Sequence, residues 1–240
     1  MAYYSIYPEK DATIYSHPDR KNLNTGHDEV VELVEEKSSI SEIYYPSRIL
    51  MKFKNLDLKY AIEHKLKGKP VSASLQLFSC EHKHLAKSHT IETFPLSQSW
   101  DEGNQRWNSS PPEGGGNGVT WKYRTENTSS FWATSSFGNG ATGSLTKQVG
   151  GGVWYTGSGF RAENTFRNAD DLDLDLDITD IVQKFSASYY QSATYPTGII
   201  NNGFIIKKPR VTEEDGFGFG ELQYFSSNTH TIYPPKLTFK

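Results

Sequence analysis

Apolar positions along this chain fall in short runs of β-branched and aromatic residues, broken by Pro, Gly, Asn and Asp, which is the pattern of strands rather than of helices. The runs predict strands near Tyr3–Tyr7, Ala12–Ser16, Glu29–Val34, Arg48–Phe53, Ser72–Phe78 and Ser88–Phe94, and again near Leu172–Ile178, Gly203–Lys207, Glu221–Phe225 and Lys236–Phe239. Two stretches predict short helices: Leu58–Leu66, with Leu58, Ile62 and Leu66 on one stripe, and Asp180–Phe185, which Thr179 or Asp180 would cap. Between Ser97 and Phe166 the pattern lapses. That segment holds all five Trp residues and 13 of the 20 Gly, so long loops are expected there. The expected architecture is an all-β sandwich, one domain over residues 1–240, with one or two short helices and an insertion-like Gly/Trp-rich segment at 97–166.

The sharpest local pattern runs from Asp170 to Ile178, where Leu172, Leu174, Leu176 and Ile178 alternate with Asp171, Asp173, Asp175 and Asp177. In a strand this places the apolar set on the core and shows a row of carboxylates on the other face. Carboxylates two positions apart lie roughly 7 Å from one another, too far for a tight calcium site without ligands from elsewhere. The row reads first as a solvated face, then as a row paired with Lys or Arg of this or another subunit, and last as a metal site.

Composition narrows the function classes. A formal charge of −3 offers no basic field for phosphates, so nucleic acid is not an expected partner. No apolar run approaches the ~18 residues of a spanning helix, and Met1–Asp11 lacks the basic start and apolar stretch of a secretory signal. A membrane partner is therefore not expected, and the chain is expected to stay in the cytoplasm in which it is made. Cys80, the single cysteine, excludes an internal disulfide and reads as a small residue at a strand end.

Candidate chemistry is sparse. His82 and His84 read as a polar turn, Gly216–Gly220 as a loop tip, and Asp101–Glu102 beside Trp100 as a turn closed by Gly103 rather than half of a glycosidase pair. No nucleophile elbow, phosphate loop or dinucleotide fingerprint is present, so neither a cofactor nor an enzyme activity is expected. Trp100, Trp107, Trp121, Trp132 and Trp154 remain as the candidate contact residues. Set among Asn, Ser and Thr, they suit core or loop-pinning roles first, inter-subunit contact second and glycan contact third.

Ordered motifs carry a resemblance. Asp11–Ser16, Asn24–Gly26, Ser47–Phe53, Ala73–Phe78, Ser99–Gly103, Asp177–Val182 and Asn201–Ile206 resemble, in that order, DNRLRE-type domains, which are related to alginate-binding carbohydrate modules. The resemblance implies a jelly-roll-like sandwich. The ending Phe225–Leu237, with Tyr3, Tyr4 and Pro8, is similar to virion structural proteins of tailed phages, above all T4-like marine cyanophages. This second resemblance implies a virion component of head, neck, tail or baseplate, assembled in the host cytoplasm, with other virion proteins and copies of itself as partners. The alternative it leaves is a carbohydrate-binding module or host-surface adhesin that holds a polysaccharide.

Overall fold

Alternation of burial along each strand builds two antiparallel sheets, as the apolar pattern predicts. The computed structural model describes residues 3–39, 43–66, 72–110, 117–126, 129–133, 150–167, 172–189, 198–215, 217–218 and 220–240. The smaller sheet has the order β1 (Tyr4–Ile6), β12 (Lys236–Phe239), β5 (Ala73–Leu77) and β9 (Leu174–Asp177). The larger sheet has eight strands. Its path runs β6 (Ser79–Lys83), β11 (Glu221–Phe225), β3 (Val30–Lys37), β4 (Tyr44–Phe53), β10 (Phe204–Lys207), β7 (His89–Pro95) and β8 (Ala162–Phe166), and β2 (Pro8–Tyr15) joins it through β4. β4 makes this sheet curl, because one of its edges pairs first with β3 at Tyr44–Pro46 and then with β2 from Ser47 to Phe53. The chain is an all-β sandwich. All ten expected strands are present; β6 and β8, which have little apolar alternation, are additions.

The core between the sheets joins Leu75, Leu77, Leu237 and Phe239 of the small sheet to Ile49, Met51, Phe204, Ile206 and Leu222 of the large one. Both expected helices cover its ends. α1 (Asn55–Tyr60) runs into a π-helical turn, Ala61–Lys65, closed by the Leu66 N–H on the Ala61 carbonyl; Leu58 is buried there, and Ile62 and Leu66 pack on the core. α2 (Thr179–Tyr189) sinks Ile181, Val182 and Phe185 into the same core. Its start differs from expectation: the Asp177 carboxylate, one turn position earlier, accepts the Thr179 N–H at 2.9 Å, and Thr179 Oγ1 instead accepts the Ala73 N–H. A third helix, α3 (Arg210–Glu214), is unexpected.

Strands β4 and β10 are buried on both faces, since Leu50 and Ile205 are as buried as their neighbours Ile49 and Ile206. Leu50, Ile205, Phe94, Leu96, Ala12 and Ile14 form a second apolar face that water would otherwise meet. The Gly/Trp-rich segment covers it. Trp100, Val119, Trp121, Trp132, Val153 and Trp154 pack onto that face as a second core. Tyr155 N–H and Ser97 N–H bond the Pro95 and Val153 carbonyls, so the two ends of the segment are tied side by side. Glycine is required at the closest approach: Gly151 has φ +80°, and a Cβ there would lie 2.6 Å from both Arg48 Nη1 and Trp121 Cζ2.

Candidate functional site

Four of the five candidate tryptophans are core residues that pin the Gly/Trp-rich segment to the sheet, the first of the roles their setting suggests, and buried rings are not placed for the partner or glycan contacts that stood second and third. Trp100, Trp121, Trp132 and Trp154 are buried; Trp100 Nε1 donates to the Asn202 carbonyl at 3.0 Å and Trp132 Nε1 to the Thr120 carbonyl at 3.1 Å. The physical reason is the doubly apolar sheet beneath them, which needs large rings to cover it. Trp107 alone stays at the surface, 38% exposed.

Trp107 stands at the rim of a groove of about 560 Å³ on the outer face of the curled sheet. The floor comes from period-two strands: Val31 and Leu33 of β3 point into the core, so Val30, Glu32, Val34 and Glu36 point out, with Glu221 and Gln223 of β11 opposite Val34 and Glu32. The Trp107 N–H donates to both oxygens of Asp28, at 3.0 and 3.1 Å, which holds the 107 loop over this floor. Its ring meets Tyr15 edge-on at 4.8 Å, and the Arg20 guanidinium lies 3.8 Å from the ring centre. Tyr15 OH donates to Glu32 Oε1 at 2.7 Å and Gln223 Nε2 to Glu32 Oε2 at 3.0 Å, fixing that carboxylate. Burial pushes the Glu32 and Asp28 carboxyls above their ordinary range despite these donors. The groove therefore sets the half-exposed Trp107 ring, backed by the buried Tyr15, beside a set of held carboxylates.

A second cluster lies beneath the Trp-rich cover, on the same sheet face as Leu50 and Ile205. Arg48 is fully buried and makes a two-pronged ion pair with Glu213 of α3, Nε to Oε1 at 3.0 Å and Nη2 to Oε2 at 2.7 Å, while Nη1 donates to the Gly151 carbonyl at 2.7 Å. Its guanidinium is 4.6 Å from the Trp121 ring and 5.3 Å from that of Trp154. Lys207 sits between Glu213, at 3.3 Å, and Glu92, at 3.7 Å. Lys208, 3.6 Å from Glu35, is held down by burial to a pKa of about 7, against the pull of Glu35. This cluster binds sheet, α3 and the Trp segment into one unit.

The turn read around Trp100 is also structural. Asn24 is its hub: Nδ2 donates to the Glu102 and Val119 carbonyls, at 2.6 and 2.8 Å, and Oδ1 accepts the Gln105 N–H. Gly103, at φ +84°, comes so close that a Cβ would lie 2.1 Å from the Asn117 carbonyl. Beside it the buried Asp11 donates its N–H to Glu102 Oε1, while its carboxylate accepts the Ser227 N–H at 2.6 Å. Burial, with a smaller push from Glu102, raises Asp11 to a pKa of about 7. The folded chain thus holds the Asp11 proton more tightly than the unfolded chain, and the stability this contributes is present below the ordinary aspartate value of 3.8 and is lost as pH rises through 7. Asp11→Asn, which keeps an acceptor for Ser227, is expected to exceed the wild type in stability at pH 8, on the order of 1–3 kcal/mol, with the gap closing toward pH 4. Urea unfolding of both proteins at the two pH values checks this.

The acidic row is accounted for locally. Leu172, Leu174, Leu176 and Ile178 are buried and Asp173, Asp175 and Asp177 exposed, in the expected alternation; Asp171 lies outside the described residues. Asp173 accepts the Ser79 N–H at 2.8 Å, Asp175 the Gln76 amide at 3.0 Å, and Asp177 starts α2. Among the described residues no group of three His, Cys, Asp or Glu side chains is placed to hold a metal ion. Cys80 lies near the start of edge strand β6 and is exposed. His82 is in β6 and His84, at φ +53°, ends it; of the Gly216–Gly220 run, Gly216 and Phe219 lie outside the described residues.

One further surface stands out. β1 pairs with β12 on one side only, and among the described residues no strand pairs with its other edge. Around it Tyr3, Tyr7 and Tyr60 are exposed, Tyr3 at 63%, and Leu56, four positions before Tyr60 in α1, is 68% exposed. Tyr60 lies 6.5 Å from Tyr4, and Lys65 Nζ is within 5.4 Å of the Tyr4 ring. Sequence reasoning missed both this patch and the groove. The Val–Glu alternation of β3 was the available signal for the groove, while the patch joins residues some fifty positions apart.

No family model matches the chain, and no curated protein matches it in sequence.

Proposed function

We propose that the chain is a non-catalytic structural subunit of a tailed-phage particle, held to its neighbours or to copies of itself through the open β1 edge. The observation that carries this reading is the tyrosine patch on the β1 edge, which no strand among the described residues pairs. Unpaired backbone N–H and C=O groups are templates for another chain, and rings such as Tyr3, Tyr7 and Tyr60 are the residue type on which interfaces concentrate their binding energy. The ordered motifs and the cyanophage-like ending of the sequence support the setting. The alternative, a polysaccharide-binding module, loses support with the burial of Trp100, Trp121, Trp132 and Trp154, which leaves it Trp107 among its proposed aromatic contacts.

A photoreactive phenylalanine analogue at position 7 or 60, in chains incorporated into particles, tests the contact. The expected result is a cross-link to a virion protein or a second copy, with none from the same probe at exposed Lys87. Equal or absent cross-linking at the two places would refute the edge as the attachment surface.

A further inference from the structure

We propose that the Trp107 groove docks a basic segment of a partner protein, taking an arginine or lysine side chain between the Trp107 ring and the carboxylates of β3 and β11. This site is separate from the β1 edge and does not depend on it.

Charge, shape and chemistry lead to the same ligand. Asp28, Glu32, Glu36 and Glu221 face Arg20 and Lys37 across the groove, four carboxylates against two cations in its lining; Glu35, which also borders it, is paired with Lys208, and Glu221 is shared with Lys83, 3.7 Å away. The volume of about 560 Å³ falls within the ~300–1,000 Å³ of ligand pockets. The buried Tyr15 couples ring to charge from beneath, meeting Trp107 edge-on and donating its hydroxyl to Glu32. The raised pKa of Glu32 and Asp28 reports carboxylates deprived of water, and an incoming cation would relieve both.

The molecule already displays the chemistry. Arg20 lays its guanidinium on Trp107 while Nη1 bonds Glu36 Oε2 at 2.5 Å, so ring and carboxylate together hold an arginine of the same chain. Glu32 and Glu221 extend the same surface along the floor beyond that arginine. The opposite charge is disfavoured, because an acidic polysaccharide laid here would face the carboxylates of Asp28, Glu32, Glu36 and Glu221.

The test is a titration with a tetra-arginine peptide, followed by calorimetry and by tryptophan emission; Trp107→Phe assigns the optical signal, since the other four tryptophans are buried. Saturable binding is expected, weakened at least tenfold by Glu32→Gln with Glu221→Gln and weakened by salt. Arg20→Ala supplies the sign. It removes a competing cation from a half-exposed position, so it should tighten tetra-arginine binding at least threefold, whereas a site for anions would bind its ligand less well. If the double variant unfolds, Arg20→Ala alone decides. Absence of saturable heat, weaker binding to Arg20→Ala, preferential binding of an oligo-uronate, or an equal response to spermidine would each overturn the proposal. Changes at Tyr7 and Tyr60 should leave this binding unaltered, so its failure and that of the edge contact are told apart.

Discussion

Glu213→Gln is expected to lower the unfolding free energy by about 3–5 kcal/mol, because it leaves buried positive charge without its partner. Arg48 and Lys207 are both buried, and Glu213 is the carboxylate that both of them reach. Burial works against ionisation of Glu213, but the two cations prevail and hold its carboxyl below the ordinary range. A depressed folded pKa means that the stability from Glu213 is present above the ordinary glutamate value of 4.5 and is lost as pH falls through the folded value. The variant should therefore lose most at neutral pH and less in acid. Guanidinium unfolding at pH 7 and pH 4 measures both terms. Adding Arg48→Met should recover part of the loss, since a thioether chain needs no counter-charge against Trp121 and Trp154. No recovery would mean that Arg48 acts chiefly through its packing.

Trp121→Ala should cost about 3–5 kcal/mol, the range for removing a large ring from a packed interior. Trp121 is 1% exposed and lies against Arg48 and Gly151 within the second core. The loss should be local at first. Amide exchange is expected to quicken over residues 117–126 and 150–155 while Leu75, Leu77 and Leu237, on the far side of the large sheet, keep their protection. A uniform rise across both cores would show instead that the Trp segment and the sandwich unfold as one unit. Trp107→Ala is the natural contrast, since that half-exposed ring closes no core and its loss should be felt in the groove.

Period-two burial made the sandwich legible: Leu172, Leu174, Leu176 and Ile178 announce both a strand and its inward face, and the Leu58, Ile62, Leu66 stripe announces α1. The second core was not legible, because nothing local says that Leu50 and Ile205 need cover as much as Ile49 and Ile206 do. Once they do, the five tryptophans divide by topology, four to the sheet and one to the rim. Lys207 and Lys208 mislead most. Two lysines after Ile205 and Ile206 give no local sign of burial, yet both are buried, on Glu213 of the next helix and on Glu92 and Glu35, which lie more than a hundred positions away. The short α3 that delivers Glu213 has no apolar stripe to reveal it: Arg210 and Glu214 pair in solvent, Val211 is exposed, and its buried side chain is a carboxylate. The groove likewise draws on Arg20, Trp107 and Glu221, which the curl of β3 and β4 brings together.

The most direct test of the particle-subunit reading is quantitative mass spectrometry of purified phage particles whose genome encodes this chain. The account predicts its peptides in the particles at a fixed copy number relative to the major structural proteins, retained through high-salt washing because the β1 contact is built on rings and backbone pairing. Abundance in infected cells with absence from the washed particles would contradict it.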